Sequence, residues 1–198
     1  MIVTEVKSVR NSKKKVEVCL DNGTGFTLYK REAYRYNLEE GYDLSEEEYE
    51  KLLREIFIPR AKSRAMHLLL DQDRSEHELR TKLKRNGYPE EAILEAISYV
   101  KKFKYLDDER MARNYVRIHQ NAKSERILVM DLKKKGISDS LIEIALDEEH
   151  TASSDELIMN WLRKRHYVKE EADEKEKAKQ YRFLLGKGFS SSDVMKFL

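Results

Sequence analysis

The sequence predicts a mainly α-helical protein, in which tandem three-helix repeats form an elongated, curved array behind a small N-terminal unit with an antiparallel β-sheet. Three observations lead to this fold class. A block of residues that ends in glycine recurs at Gly87, Gly136 and Gly188. The first 30 residues instead alternate apolar and polar side chains, as β-strands do. Only two prolines occur in 198 residues, which argues against a loop-rich fold.

The N-terminal residues predict three short strands, because they are β-branched or aromatic and largely alternate in polarity. Asn11 and Ser12 are expected in the first turn, and Asp21-Asn22-Gly23 supplies the residues that a tight hairpin favours. Cys19, within the second strand, is expected to be an inert core thiol. The predicted strands cover residues 3–9, 16–20 and 26–29.

A helix is predicted after the sheet. Ser45 and Glu48 have the spacing of a capping box, and Leu44 and Tyr49 are placed as a hydrophobic staple. Pro59 predicts a break or a restart of this helix, because proline lacks the N–H that a helix interior requires. We therefore expect a boundary between an N-terminal unit, residues 1–58, and the repeats.

The three glycine blocks define the repeats. A leucine lies four residues before each glycine, and a large apolar residue follows it. This pattern is typical of a helix that ends in a left-handed glycine, with the next residue folded back on the last turn. The leucines are Leu83, Leu132 and Leu184, and the apolar residues are Tyr88, Ile137 and Phe189.

Each glycine block lies between two further predicted helices, so that one repeat has three helices. The following helices begin at Pro89, Ser138 and Ser190, which are suitable first residues. The preceding helices carry apolar stripes, which are Ala65/Met66/Leu69/Leu70, Met111/Tyr115/Val116/Ile118 and Leu157/Ile158/Trp161/Leu162. The predicted repeats cover residues 59–106, 107–152 and 153–198.

Charged residues make up 38% of the chain, although the net charge is only +2. The basic residues gather on the second helix of each repeat. At equivalent places in a linear array, they predict a basic stripe that binds a polyanion, such as a nucleic-acid backbone or an acidic protein filament. The stripe consists of Arg80, Lys82, Lys84, Arg85, Arg126, Lys133, Lys134, Lys135, Lys179, Arg182 and Lys187.

One other interpretation of these basic residues stays open, and a second is disfavoured. Cations in the last turn of a helix stabilise its dipole by about 0.3–1 kcal/mol, so each cluster alone is explained as a solvated helix end. Reading of DNA bases by the third helix of a repeat is disfavoured, because residues 90–95 and 139–143 are acidic and would repel phosphate groups.

The sequence predicts neither an enzyme nor a cofactor or metal site. Phosphate-binding loops and zinc-protease motifs are missing, and the five histidines are scattered. His119 and His166 are expected to pack at the ends of helices. No apolar run reaches the roughly 18–20 residues that a membrane span needs, and one cysteine fits a reducing compartment, so a cytoplasmic monomer is expected.

The stretch before the second repeat is distinctive. Tyr105 and Leu106 are expected to pack beneath a helix that Asp107 or Asp108 caps, with Glu109 in its first turn, and Arg110 belongs to the same signature stretch. Together with the Ser75-x-x-Glu-Leu-x-x-Lys-Leu block before Gly87, this stretch resembles the RecX family of bacterial recombination regulators, over residues 60–198. Gln180 departs from the repeat pattern, because leucine occupies the equivalent positions 79 and 128.

The resemblance implies a non-enzymatic regulator that binds the RecA–DNA filament. In this family, such binding usually inhibits ATP hydrolysis, strand exchange and co-protease activity in DNA repair and recombination, including the SOS response. RecA filaments and single- or double-stranded DNA are then the expected partners, with no membrane partner. The alternative, from the residues alone, is a general nucleic-acid-binding repeat protein without a specific protein partner.

Overall fold

A computed structural model describes residues 1–10 and 12–198, which form two compact units, 1–107 and 108–198. The prediction of a mainly helical chain with three three-helix repeats and a small antiparallel sheet is confirmed. Asn11, expected in the first turn, lies outside the described residues. The finer division at residues 58/59, 106/107 and 152/153 stays a prediction.

The sheet has three antiparallel strands in the order β1-β2-β3. Val18 in the central strand pairs with Val6 on one side and Phe26 on the other. Gly23 closes the second hairpin with a φ of +78°, a conformation that glycine adopts without steric cost. The strands are Val3–Ser8 (β1), Lys15–Leu20 (β2) and Gly25–Tyr29 (β3).

The expectation that Cys19 is a core thiol is wrong. Alternate residues of β2 face the core, so that Val16, Val18 and Leu20 are buried there. Cys19 therefore lies on the opposite face, half-buried, with Sγ 3.9 Å from Glu5 Oε2.

Two helices follow the sheet, Lys30–Arg35 (α1) and Glu46–Leu52 (α2). The predicted capping box at α2 is confirmed: the Glu48 N–H donates to Ser45 Oγ at 3.2 Å, and the Ser45 N–H donates to the Glu48 carboxylate at 3.0 Å. Leu44 is buried and Tyr49 is half-buried, in the same core.

At Pro59 the helix restarts without a gap. A π-helical turn, Leu53–Phe57, connects α2 directly to α3, Ile58–Asp71. Pro59 occupies the first turn of α3, where the absent N–H costs no hydrogen bond within the helix. The sheet also shares one hydrophobic core with the first repeat, in which the rings of Phe26 and Phe57 lie 5.0 Å apart.

The first repeat consists of α3, α4 and α5, and each later repeat likewise has three helices. The remaining bounds are Glu76–Arg85 (α4), Glu90–Lys102 (α5), Asp108–His119 (α6), Glu125–Lys134 (α7), Asp139–Glu149 (α8), Ser154–Lys164 (α9), Glu174–Gly186 (α10) and Ser191–Met195 (α11).

Two members of the predicted apolar stripes point to solvent. Leu70 is 82% exposed, because it lies on the side of α3 opposite the buried Ala61 and Ala65. Ile118, at 72% exposure, lies beyond the buried side of α6, which Met111 and Val116 occupy. The predicted helical periodicity is therefore correct, but the first two predicted stripes each include one residue that the helix exposes to solvent.

Candidate functional site

The end of each second helix is fixed by the predicted glycine turn. Gly87, Gly136 and Gly188 have φ values of +80°, +79° and +86°. The residue after each glycine donates its N–H to the carbonyl oxygen of the leucine that lies four residues before the glycine, and all three leucines are fully buried. These hydrogen bonds are Tyr88 to Leu83 (3.4 Å), Ile137 to Leu132 (3.1 Å) and Phe189 to Leu184 (3.3 Å).

Inward leucines direct the neighbouring basic residues of the predicted stripe away from the core. On α4, Lys84 and Arg85 are exposed and Lys82 is half-buried, and none of these three makes an ion pair within residues 1–10 and 12–198. Arg80 differs, because its guanidinium forms ion pairs with Glu90 and, at 4.0 Å, with Glu76.

On α7, the basic residues border an open groove of about 530 Å³. Met130, one of the lining residues, is 43% exposed, so the groove combines apolar surface with positive charge. Lys133 Nζ lies 2.8 Å from Asp139 Oδ1, whereas Arg126 and Lys134 are exposed and make no ion pair in the described chain. The lining residues are Arg126, Ile127, Val129, Met130, Lys133 and Lys134.

Two stripe residues are held against aromatic rings. Lys187 Nζ lies 4.6 Å from the centre of the Trp161 ring, and Lys135 Nζ lies 5.8 Å from that of Tyr115. Both lysines are half-buried. Trp161 is itself half-buried rather than a core residue. These contacts give Lys135 and Lys187 a local role in cation–π packing.

On α10, Lys179 Nζ lies 3.3 Å from Glu176 Oε2, and Arg182 is exposed. Gln180 confirms the register of this helix, because it is 1% exposed, like the leucines at positions 79 and 128. Arg165 Nε donates a hydrogen bond of 2.5 Å to Gln180 Oε1. Gln180 Nε2 donates to the Glu176 carboxylate, so both polar atoms of the buried amide have partners.

The stretch before the second repeat is placed only partly as predicted. Leu106 is buried in the core of the first unit, and α6 begins at Asp108, directly after Asp107. Arg110 is exposed in the first turn of α6. Tyr105 is 48% exposed, with its ring 6.3 Å from that of Phe103, so the expected packing of Tyr105 beneath the helix is wrong.

A polar network in the second repeat was not predicted from the sequence. Lys123 Nζ lies 2.7 Å from both Asp131 Oδ2 and Tyr115 Oη. The hydrogen bond from Lys123 holds the pKa of Asp131 below its usual value. Burial, followed by the charge of Lys123, lowers the pKa of His119, whose ring lies 4.3 Å from Tyr115. His166, in contrast, is exposed rather than packed.

Within the described residues, no group of three histidine, cysteine or acidic side chains is arranged to hold a metal ion. Over the same residues, no helix is both long enough and apolar enough to cross a membrane. Basic residues at positions 10, 13–15, 30, 31 and 35, which were not singled out from the sequence, lie on adjoining backbone segments of the sheet and α1.

Comparison with known sequences matches each repeat to one domain of a single family. The matching families are described as the first, second and third three-helix domains of RecX, at residues 61–99, 107–146 and 153–198. A protein named Regulatory protein RecX from Caldanaerobacter subterraneus is 30% identical, over 100% of this chain and 98% of the relative. One of the same name from Clostridium acetobutylicum is 28% identical over 99% and 94%.

Solved structures agree with the sequence matches. A crystal structure described as regulatory protein RecX has a TM-score of 0.60 and 25% identity, and the match covers 99% of this chain and 97% of the other. RecX from Lactobacillus salivarius has a TM-score of 0.56 and 26% identity, over 71% and 93%. Three matched domains in order, full-length relatives and the shared fold show that this chain belongs to the RecX family.

Proposed function

We propose that the protein is a non-enzymatic regulator that binds the RecA–DNA filament and inhibits RecA's ATPase, strand-exchange and co-protease activities. The observation that carries the proposal is that exposed cations lie on the second helix of every repeat, in the last turn of α4 and of α7 and further from the helix end in α10. A filament repeats its own surface at regular intervals, and a chain of repeated basic helices suits such a partner.

The α7 groove supplies the best-defined contact for a protein partner. Its exposed Met130 offers apolar surface, and Arg126 and Lys134 offer positive charges that form no ion pair in the described chain. Protein interfaces commonly combine a desolvated apolar centre with a charged rim. An acidic, partly apolar segment of the partner fits this arrangement.

Three stripe residues are already paired with carboxylates of this chain, namely Arg80, Lys133 and Lys179. Exposed pairs contribute about 0–1 kcal/mol, so a partner's carboxylates or phosphates can replace them at small cost. Lys135 and Lys187 contribute mainly positive potential, because their ammonium groups are held over aromatic rings.

In this proposal the chain acts in the cytoplasm as a monomer, without a cofactor, and each segment of residues 59–106, 107–152 and 153–198 supplies one basic helix. DNA is contacted within the filament.

Binding to a labelled single strand, measured by fluorescence anisotropy with and without RecA, separates this function from general nucleic-acid binding. Much tighter association with RecA-coated DNA than with naked DNA supports the proposal, and equal affinity for both contradicts it.

A further inference from the structure

The N-terminal unit carries a concentrated cationic surface that its overall charge conceals. Residues 1–59 contain 10 basic and 12 acidic side chains, so this part of the chain is acidic in total. Seven of the basic residues nevertheless occur in two short segments, 10–15 and 30–35, in which Glu32 is the one acidic residue. We call these seven the N-terminal basic surface: Arg10, Lys13, Lys14, Lys15, Lys30, Arg31 and Arg35.

The fold brings the two segments together. Lys15 pairs with Tyr29 in the register of β2 and β3. The backbone N–H of Lys30 then donates a 2.9 Å hydrogen bond to the carbonyl oxygen of Lys14. The start of β2 therefore adjoins the start of α1, and cations separated by about 15 residues in sequence share one region of the surface.

Helix α1 presents its cations on one side. Lys30 and Tyr34 are four residues apart, as are Arg31 and Arg35, so both pairs extend along the exposed side of the helix. Ala33 is buried on the other side. Glu32, the acidic residue of α1, is already occupied by an ion pair with Arg60.

Within residues 1–10 and 12–198, none of the seven cations forms an ion pair. Six of the seven are exposed, and Lys15 is half-buried. In the basic stripe, three residues do have carboxylate partners, namely Arg80, Lys133 and Lys179. The cations of the N-terminal basic surface outnumber Glu32, the one acidic residue of the two segments, so they repel one another, and a bound polyanion removes this repulsion.

Exposed tyrosine rings lie among these cations. Tyr34 is 86% exposed, and Tyr29 is 42% exposed with Lys15 Nζ 5.4 Å and the Arg60 guanidinium 5.1 Å from its ring centre. Cations that bind phosphates, combined with rings on which bases stack, characterise sites for single-stranded nucleic acid. A duplex gains less from such rings, because its bases are already stacked on one another.

We propose that the N-terminal basic surface, together with Tyr34, binds single-stranded nucleic acid through phosphate contacts and base stacking. The site lies outside the three-helix repeats and does not depend on the proposed RecA function. The chain can therefore hold a single strand by its N-terminal unit while its repeats contact a protein.

The test uses the full-length protein, without RecA, and a fluorescein-labelled oligothymidylate. A surface variant removes four exposed charges, and a control variant removes four exposed charges that also lack ion pairs in the described chain. The surface variant is Lys13→Gln/Lys14→Gln/Arg31→Gln/Arg35→Gln. The control variant is Lys51→Gln/Arg54→Gln/Lys102→Gln/Lys175→Gln. Thermal unfolding followed by circular dichroism verifies that both variants fold like the wild type.

We expect the surface variant to bind at least about tenfold more weakly, and the dependence of log affinity on log salt to decrease by about 3, at roughly 0.7 per lost phosphate contact. The control variant should bind like the wild type. Equal weakening in both variants, or failure of the wild type to bind the oligonucleotide, overturns the proposal.

Tyr34→Ala tests the assignment to single strands. It should weaken oligothymidylate binding by about tenfold, within the range observed for loss of one stacked base, and leave duplex binding unchanged. An unchanged affinity for the single strand overturns base stacking at this site. If the surface variant binds oligothymidylate normally but loses its effect on RecA, the surface binds protein instead, and the proposal is wrong.

Discussion

The Ser124 hydroxyl donates a 2.8 Å hydrogen bond to the carbonyl oxygen of Lys187, which joins the start of α7 to the turn that ends α10. Ser124 is 4% exposed and also caps α7. A related contact occurs in the first unit, where the Thr27 N–H donates to the Gly87 carbonyl oxygen at 2.8 Å. Two of the three glycine turns, those at Gly87 and Gly188, therefore serve as docking points as well as helix ends.

Replacement of Gly188 by alanine should destabilise the protein. The residue has a positive φ, which costs an L-residue about 1–2 kcal/mol, and a new Cβ would contact Ser124 Oγ and approach Ile127 Cγ1 to 2.7 Å. Urea unfolding should show a loss of at least about 1–2 kcal/mol. Gly186→Ala is the control, because it lies in α10 with no atom near the new Cβ and should gain about 0.5–1 kcal/mol. Equal effects would contradict the assigned turn.

Gln180→Leu should leave stability within about 1 kcal/mol of the wild type. The site is as buried as the equivalent leucines, and Arg165, which loses its hydrogen bond, is half-buried and can still reach water. Gln180→Ala leaves a cavity and should cost about 2 kcal/mol. Chemical unfolding of both variants measures the difference. A leucine variant as unstable as the alanine variant would show that the hydrogen bonds, rather than the side-chain volume, hold this position.

His119 should make stability depend on pH near its ordinary pKa of 6.5. Burial and the nearby Lys123 lower its pKa in the folded protein, so the unfolded chain binds the proton first as the pH falls. The contribution of His119 to stability is therefore fully present above pH 6.5 and is lost as the pH falls below that value. His119→Phe keeps a ring beside Tyr115 and should reduce this decline, as measured by the thermal midpoint across the range. An identical pH profile for the variant would contradict the account.

The repeat architecture could be predicted because its signal is local. Gly87, Gly136 and Gly188 each require one backbone conformation, and the leucine four residues earlier must be buried for the turn to close. Such signals need only a few residues in sequence. The position of Cys19 was missed although it follows from the alternation of β2, because a short apolar run suggests burial on both faces.

The candidate site could be predicted less completely, because it depends on contacts between helices. Glu90, one partner of Arg80, and Asp139, the partner of Lys133, lie in the following helices, and Lys187 is held by Trp161 from α9. The N-terminal basic surface depends on the register of β2 and β3 and on the backbone hydrogen bond from Lys30 to Lys14. The net charge of residues 1–59 does not reveal this arrangement, because acidic residues elsewhere in that segment offset the clustered cations.

The RecA ATPase on single-stranded DNA tests the central claim most directly. We expect the wild-type protein to lower the ATPase rate when it is present in less than equimolar amount to RecA. Arg126→Glu/Lys134→Glu, which reverses the charges on the α7 groove, should require roughly tenfold more protein, at about 0.7 kcal/mol for each charge. Lys51→Glu/Arg54→Glu, two exposed residues outside the repeats, should act like the wild type. An ATPase rate that the wild-type protein leaves unchanged at every ratio would contradict the proposed function.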